Sequence, residues 1–229
     1  DRRNPQVSVW FGGPAPEYIV AAERGLLEPY EPSLDHELHS SARGAQWEWT
    51  GFYAGVIGFA CNHQMLEAYD VACPDSWQGL LDPAFSDQIS LAYPYTSGTA
   101  FITVAALLAQ LGEERGWQFI AQLDSQVHHY NSSGTAAVTQ AGLGEVAVAI
   151  AFAHDILKKG IERGYPLELT VPRDGAPTEI GAVAIVKGAA QPELARRFVD
   201  GLHTREAQDL LAGWYRVPLH PEATLAEDA

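Results

Sequence analysis

AIAFAHDILKKG, residues 149–160, joins two patterns in twelve residues. Val146, Val148, Ile150 and Phe152 recur at every second position, the period of a strand. The residues from His154 onward read as a short helix. A strand that runs directly into a helix is the repeating step of an α/β fold. His154 and Asp155 stand at the junction, where an open α/β sheet presents its ligand-facing groups. A plainer reading has Asp155 only capping the helix.

The same step recurs along the chain. VSVWFGG (Val7–Gly13) reads as a strand ending in a glycine turn, followed by a helix in PAPEYIVAAERGLL that stops at Gly25. A polar, irregular stretch spans Glu28–Gln46, and Gly51–Asn62 is strand-like. DSWQGLLD predicts a short helix capped by Asp75 or Ser76. Gln88–Pro94 is a strand, and TSGTAFITVAALLAQLG is a helix apolar on nearly every face and therefore buried. The next helix places Trp117, Ile120 and Leu123 at helical spacing. VHHYNSSG is a strand and turn, TAAVTQAGLGE a helix, and LELTVP and TEIGAVAIVKGA are further strands. QPELARRFVDGLHT and REAQDLLAG are helices before a loop-like tail. Strands alternating with helices predict an α/β fold with largely parallel pairing, and the units are too numerous for one compact sheet, so two lobes fit better.

Bulk properties narrow the function. The chain has 229 residues, 47% hydrophobic and 19% charged, an ordinary globular balance. Its net charge is −15 and its only lysines are Lys158, Lys159 and Lys187, which argues against nucleic acid. No stretch of 18 apolar residues marks a membrane span, and no leader pattern is evident. The start at Asp1 points to a processed or trimmed chain. Cys61 and Cys73 are too few for a disulfide scaffold or a zinc site. They are either two buried thiols or one bridge formed in an oxidising compartment.

Four segments carry candidate chemistry. Thr96, Ser97, Gly98 and Thr99 open a helix after a strand, and free N–H groups there suit an anion. Ser133 and Gly134 repeat the arrangement in HHYNSSGT. Both are equally readable as ordinary caps. Gly12-Gly13 permits left-handed backbone or close ligand approach. Glu179, just before a strand, is a surface residue or a carboxylate that binds hydroxyls. The GxSxG, HExxH and GxxxxGKS/T motifs are absent, so no enzyme, cofactor or resident metal is expected.

Taken together, DSWQGLLDPAFSDQISLAYPYTSGTAFITVAALL, GEVAVAIAFAHD and TEIGAVAIVKGAAQPELARRFVDGL resemble the solute-binding proteins of ABC importers. The closest group is the ferric ion, phosphonate and sugar-phosphate receptors, and the resemblance runs from about Val7 to Pro218. It implies a two-lobe, type II periplasmic-binding fold with hinge closure on a small anionic ligand in the inter-lobe cleft. Residues 1–61 and 171–229, with the C-terminal helices, would form one lobe, and residues 62–170 the other. It further implies a secreted monomer, periplasmic or extracellular and membrane-associated, that docks on an importer permease without inserting in the membrane.

The resemblance also ranks ligands. Ferric-ion members use adjacent tyrosines, whereas Tyr93 and Tyr95 here are separated. Sugar-phosphate members hold phosphate at Ser/Gly/Thr helix starts and read hydroxyls with a His-Asp pair and a later Glu. Ser97-Gly98-Thr99, His154-Asp155 and Glu179 stand in that order, which favours a sugar phosphate. An aminoalkylphosphonate, with its ammonium on Asp155 and Glu179, is the alternative. Members of the family normally carry about two more strand–helix units before the segment equivalent to VSVWFGG, so the first lobe is expected to be incomplete at its N-terminus.

Overall fold

A computed structural model of the chain describes residues 5–34 and 37–225. Parts of two sequence readings, the irregular stretch at 35–36 and the tail at 226–229, lie outside the described residues. The chain divides into two compact units. One is the chain up to Gly55 together with the chain from Glu179 onward, and the other is Val56–Thr178.

The first unit holds β1 (Val9–Pro14), α1 (Ala15–Glu23), β2 (Leu27–Glu28) and the start of β3 (Thr50–Asn62). The remainder of β3 lies in the second unit, followed by α2 (His63–Tyr69), β4 (Ile89–Ala92), α3 (Gly98–Leu111), α4 (Glu113–Asp124) and β5 (Val127–Asn131). That unit closes with α5 (Gly134–Gly142), β6 (Val148–Phe152), α6 (Ala153–Lys159) and β7 (Leu167–Thr170). The chain then adds β8 (Thr178–Val186), α7 (Pro192–Leu202), α8 (Arg205–Ala212) and β9 (Val217–Pro218) to the first unit.

In the second unit β4 pairs in parallel with both β5 and β6, whereas β3 pairs antiparallel with β6 and β7. In the first unit β1 and β2 pair antiparallel with β8, and β9 pairs antiparallel with β3. The two-lobe α/β reading stands, but the mostly parallel sheets give way to mixed pairing. Among the described residues the parallel pairs are β4 with β5 and β4 with β6, strands joined by helical crossovers. The long strands β3 and β8 take return segments as neighbours.

Alternation places the cores. On β8, Ala182 and Ala184 pack with Ala15, Tyr18 and Ala21 of α1, while Val183 and Ile185 pack with Ala195 and Val199 of α7. Adjacent residues face opposite sides of a strand, so β8 is covered on both faces. In the second unit Ile57, Phe59 and Cys61 join Trp77, Ile150 and Phe152 in one core, and Ala60, Ala149 and Ala151 face α5 in another.

Four local readings are corrected. DSWQGLLD forms only a 3₁₀ turn at Gln78–Leu81, because Asp82 precedes Pro83 and is drawn into extended backbone. Helix α3 is not buried all round, since Phe101 faces solvent. On α4 the buried stripe is Gly116, Phe119 and Leu123, and Trp117 is 51% exposed. Gly116 sets this orientation: a Cβ there would lie 2.8 Å from Leu108 Cδ2 of α3, so the helices meet at the glycine. The tail read as loop also contributes β9.

Cys61 and Cys73 are bridged, with Cα atoms 5.8 Å apart, and no free cysteine remains. The bridge ties the end of β3 to the loop before Trp77. That loop is also bound to the segment after β7: Trp77 N donates to Asp174, and Trp77 Nε1 donates to Gly175 O at 2.8 Å.

Two helix starts differ in a way the sequence did not separate. Ser133 accepts from Ala136 N and so caps α5. Ser97 stands at the cap of α3 but makes no side-chain cap hydrogen bond. Ser133→Ala is therefore expected to cost about 1 kcal/mol of unfolding free energy. Ser97→Ala should stay within about 0.5 kcal/mol of the parent. Urea unfolding of the two variants checks this, and equal losses would contradict the assignment. In the same assay Cys61→Ala/Cys73→Ala should lose about 3 kcal/mol, the entropy of a closed loop of this size. Thiol titration of the denatured, unreduced parent should find no free thiol.

Candidate functional site

The second unit builds its candidate groups from a single constraint. Strands β6, β4 and β5 are adjacent and parallel, so their C-terminal ends lie along one edge of the sheet. Each end leads into a helix: β6 into α6, β4 into α3 and β5 into α5. Ligands of open α/β sheets bind outside such carboxyl ends.

At the end of β4 the chain makes a turn in which Thr96 N, Thr96 Oγ1 and Ser97 N all donate to Tyr93 O. The Thr96 hydroxyl is thereby engaged in the turn. The N–H groups of Gly98, Thr99 and Ala100 precede the first intrahelical bond of α3, from Phe101 N to Ser97 O at 3.0 Å. Thr99 is buried, and the start of α5 lies against it. A Cβ at Gly134 would stand 2.8 Å from Thr99 Oγ1. The two helix starts singled out in the sequence are thus in contact, and only glycine at 134 allows it. Each start carries the positive end of its helix dipole.

A buried polar network fixes this edge. Ser90 Oγ donates to Gln140 Oε1 at 2.7 Å, and Asn131 Nδ2 donates to both Ser90 Oγ and Gln140 Oε1. It ties β4 and β5 to α5. Nothing in the sequence pattern marked these three residues.

At the end of β6, His154 and Asp155 occupy the first turn of α6, whose cap position is Phe152. Asp155 is therefore not the cap residue. His154 is 5% exposed and its ring stacks on Phe152, with centroids 5.1 Å apart. His154 Nε2 and Asp155 Oδ2 are 3.9 Å apart, beyond hydrogen-bond distance, so the two side chains are neighbours rather than a bonded pair. Asp155 Oδ1 instead meets Lys159 Nζ at 3.2 Å, one turn along the helix. The sequence reading passed over Lys159, although the spacing of four residues was there to be seen.

Tyr93 and Tyr95 lie beyond β4, with ring centroids 5.0 Å apart, and Tyr93 also stacks on Tyr130. Among the described residues no group of three or more His, Cys, Asp or Glu side chains is arranged to hold a metal ion. No described helix is long and apolar enough to cross a membrane.

The first unit holds Gly12, Gly13 and Glu179. Both glycines have left-handed backbone, with φ of 86° and 88°, in the irregular end of β1 that leads to α1. Side chains rarely adopt this conformation. Tyr18 Oη is 2.7 Å from Gly12 O and 2.8 Å from Ala182 O, which locks the turn to β8. Glu179 is buried, 4% exposed, and its Oε1 accepts from Tyr53 Oη at 2.8 Å. Burial, then the negative charge of Glu179, push the Tyr53 phenol well above its ordinary range, while the Arg216 charge pulls it down. The phenol therefore stays protonated and remains a donor. The Arg216 guanidinium carbon lies 4.1 Å from the centre of the Tyr53 ring. Tyr53 and Arg216 had not been singled out from the sequence.

These features can be set beside known proteins. The family described as bacterial extracellular solute-binding protein matches residues 20–229. An uncharacterized protein of Haemophilus influenzae is 33% identical over 92% of this chain and 62% of its own length. The chain thus spans less than two thirds of that relative. Among solved structures, the periplasmic binding protein AfuA from Actinobacillus pleuropneumoniae, with exogenous fructose-6-phosphate bound, is 31% identical with a TM-score of 0.91. The match covers 99% of this chain and 73% of that one. The periplasmic binding protein P5PA is 30% identical with a TM-score of 0.92, over 100% of this chain and 74% of that one. With a family match over nearly its whole length and these two structural relatives, the chain belongs to the bacterial extracellular solute-binding proteins and has their type II periplasmic-binding fold.

Proposed function

We propose that this protein is the extracytoplasmic receptor of an ABC importer and binds a sugar phosphate. The observation that carries the reading is the contact between Thr99 and Gly134, which brings the starts of α3 and α5 together at the carboxyl edge of parallel strands. Two helix starts there offer backbone N–H groups and two dipoles to one phosphate. Ser97, which spends no hydrogen bond on capping, adds its hydroxyl. In this reading Asp155 and His154, which follow β6 on the same edge, meet the sugar hydroxyls. The AfuA relative, with fructose-6-phosphate bound, supports the ligand class.

An aminoalkylphosphonate fits less well. Its ammonium would approach Asp155, whose Oδ1 already faces Lys159 Nζ at 3.2 Å. A second cation there meets like charge, while a hydroxyl donates to the remaining oxygen at no such cost. The family and its neighbours are binding proteins for transport. In this reading the protein returns its ligand unchanged, works as a monomer, and hands the ligand to a permease. The Cys61–Cys73 bridge suits the periplasm or cell exterior.

Thermal unfolding in the presence of fructose-6-phosphate, inorganic phosphate, 2-aminoethylphosphonate and ferric citrate tests the proposal. Ligand at about 100 times its dissociation constant stabilises by about 2.7 kcal/mol, which raises the midpoint by several degrees. The expected result is a rise with fructose-6-phosphate and recovery of that sugar phosphate unaltered. A rise with ferric citrate alone, or turnover of the sugar phosphate, would overturn the reading. Asp155→Ala should weaken fructose-6-phosphate by about 1–3 kcal/mol and leave inorganic phosphate unaffected.

A further inference from the structure

A carboxylate that meets a ligand is either bare or already paired, and the two states prefer different partners. A bare one attracts a cation. A paired one is better served by a neutral donor, because a second cation meets like charge. Asp155 is of the paired kind. Its Oδ1 lies 3.2 Å from Lys159 Nζ, and the Asp155 side chain is 16% exposed. Both residues stand on α6 four positions apart, the spacing at which helix side chains meet. The acid is in the first turn and the base in the last, so the helix dipole supports both charges.

The pairing divides the carboxylate. Oδ1 is committed to Lys159, while Oδ2 stands 3.9 Å from His154 Nε2, beyond hydrogen-bond distance. The His154 ring is buried and stacked on Phe152, which holds that separation. Oδ2 is thus the oxygen left to an incoming donor. Lys158, the neighbouring cation, pairs with Glu162 at 2.8 Å. Two lysines on one short helix therefore hold different partners, and Lys159 is the one that faces Asp155.

We propose that Lys159 is a specificity-determining positioning residue, which holds Asp155 Oδ1 so that the carboxylate offers Oδ2 to a single neutral hydroxyl and disfavours an ammonium. The inference rests on Asp155 meeting the ligand, as the sugar-phosphate reading has it. All the groups it uses lie on one helix of the second unit. An ammonium arriving at Oδ2 would shed water and meet the Lys159 charge across one carboxylate. A hydroxyl brings no net charge and loses less water. Without Lys159, Asp155 would present both oxygens and an unbalanced charge, and the ammonium would gain. Lys159 is 35% exposed, so its charge is partly screened and its influence weakens as salt is added.

Calorimetric titration of the full chain with fructose-6-phosphate and with 2-aminoethylphosphonate tests this in the parent, Lys159→Gln, Lys159→Arg and Lys158→Gln. The quantity read is the ratio of the two dissociation constants, in which the shared anionic end largely cancels. Lys159→Gln should lower the preference for fructose-6-phosphate by about fivefold at low salt, and by less at about 0.5 M salt. Lys159→Arg keeps the charge and should keep most of the preference. Lys158→Gln removes the same charge from the same helix but not from Asp155, and should leave the preference within about twofold of the parent. A parent that binds the two probes equally, or an unchanged preference in Lys159→Gln, would overturn this inference and leave the sugar-phosphate reading standing. So would an equal loss in Lys158→Gln, since net charge and not the pairing would be the cause, or a Lys159→Arg that behaves like Lys159→Gln. A parent that does not take fructose-6-phosphate would overturn both.

Discussion

Strand β4 is only four residues long, is buried throughout, and has a parallel neighbour on each side. That arrangement is the constraint on which the second unit depends. Parallel strands need crossovers of a dozen or more residues, so helices must cover the sheet. Because all three strands run one way, their three exits share one edge. A strand this short also needs help to hold register. Ser90 supplies it by hydrogen bonding Gln140 and Asn131 inside the fold, where each bond is stronger than in water. The same network positions α5, whose glycine meets Thr99. Geometry that looks designed for a ligand is thus already required for the sheet to close.

The alternation of strand and helix was legible because it rests on local periodicity. Val146, Val148, Ile150 and Phe152 report a strand whatever surrounds them. Faces of helices were harder. Trp117, Ile120 and Leu123 make a sound stripe by spacing alone, yet α4 turns so that Gly116 meets Leu108 and Trp117 stays in solvent. Close approach at a glycine outweighs the area a tryptophan would bury, and only the partner helix reveals it. The cysteines were undecidable for a similar reason, since their separation says nothing about whether the chain returns to within 5.8 Å.

The candidate site was legible in proportion to how local its chemistry is. Ser97-Gly98-Thr99 and Ser133-Gly134 could be read as helix starts, but their mutual contact could not. The sequence also treated the two serines alike, while the structure makes one a cap and leaves the other uncommitted. Lys159 was readable from its spacing to Asp155. Tyr53 and Arg216 were not, being 163 positions apart and brought together by a two-residue strand in a segment that looked like loop.

Charge sets the remaining problem. A surface of net charge −15 repels anions, so any anion site on it must rest on groups that act at short range. Helix starts meet that requirement because their field falls off within a turn and is delivered by backbone that carries no net charge. In the second unit Lys159 pairs with Asp155, and in the first Arg216 covers the ring that bonds Glu179. The pairing with Lys159 leaves Asp155 an oriented, charge-balanced acceptor rather than a bare one. On one sheet edge the second unit thus sets a balanced acceptor at the end of β6 and helix starts at the ends of β4 and β5.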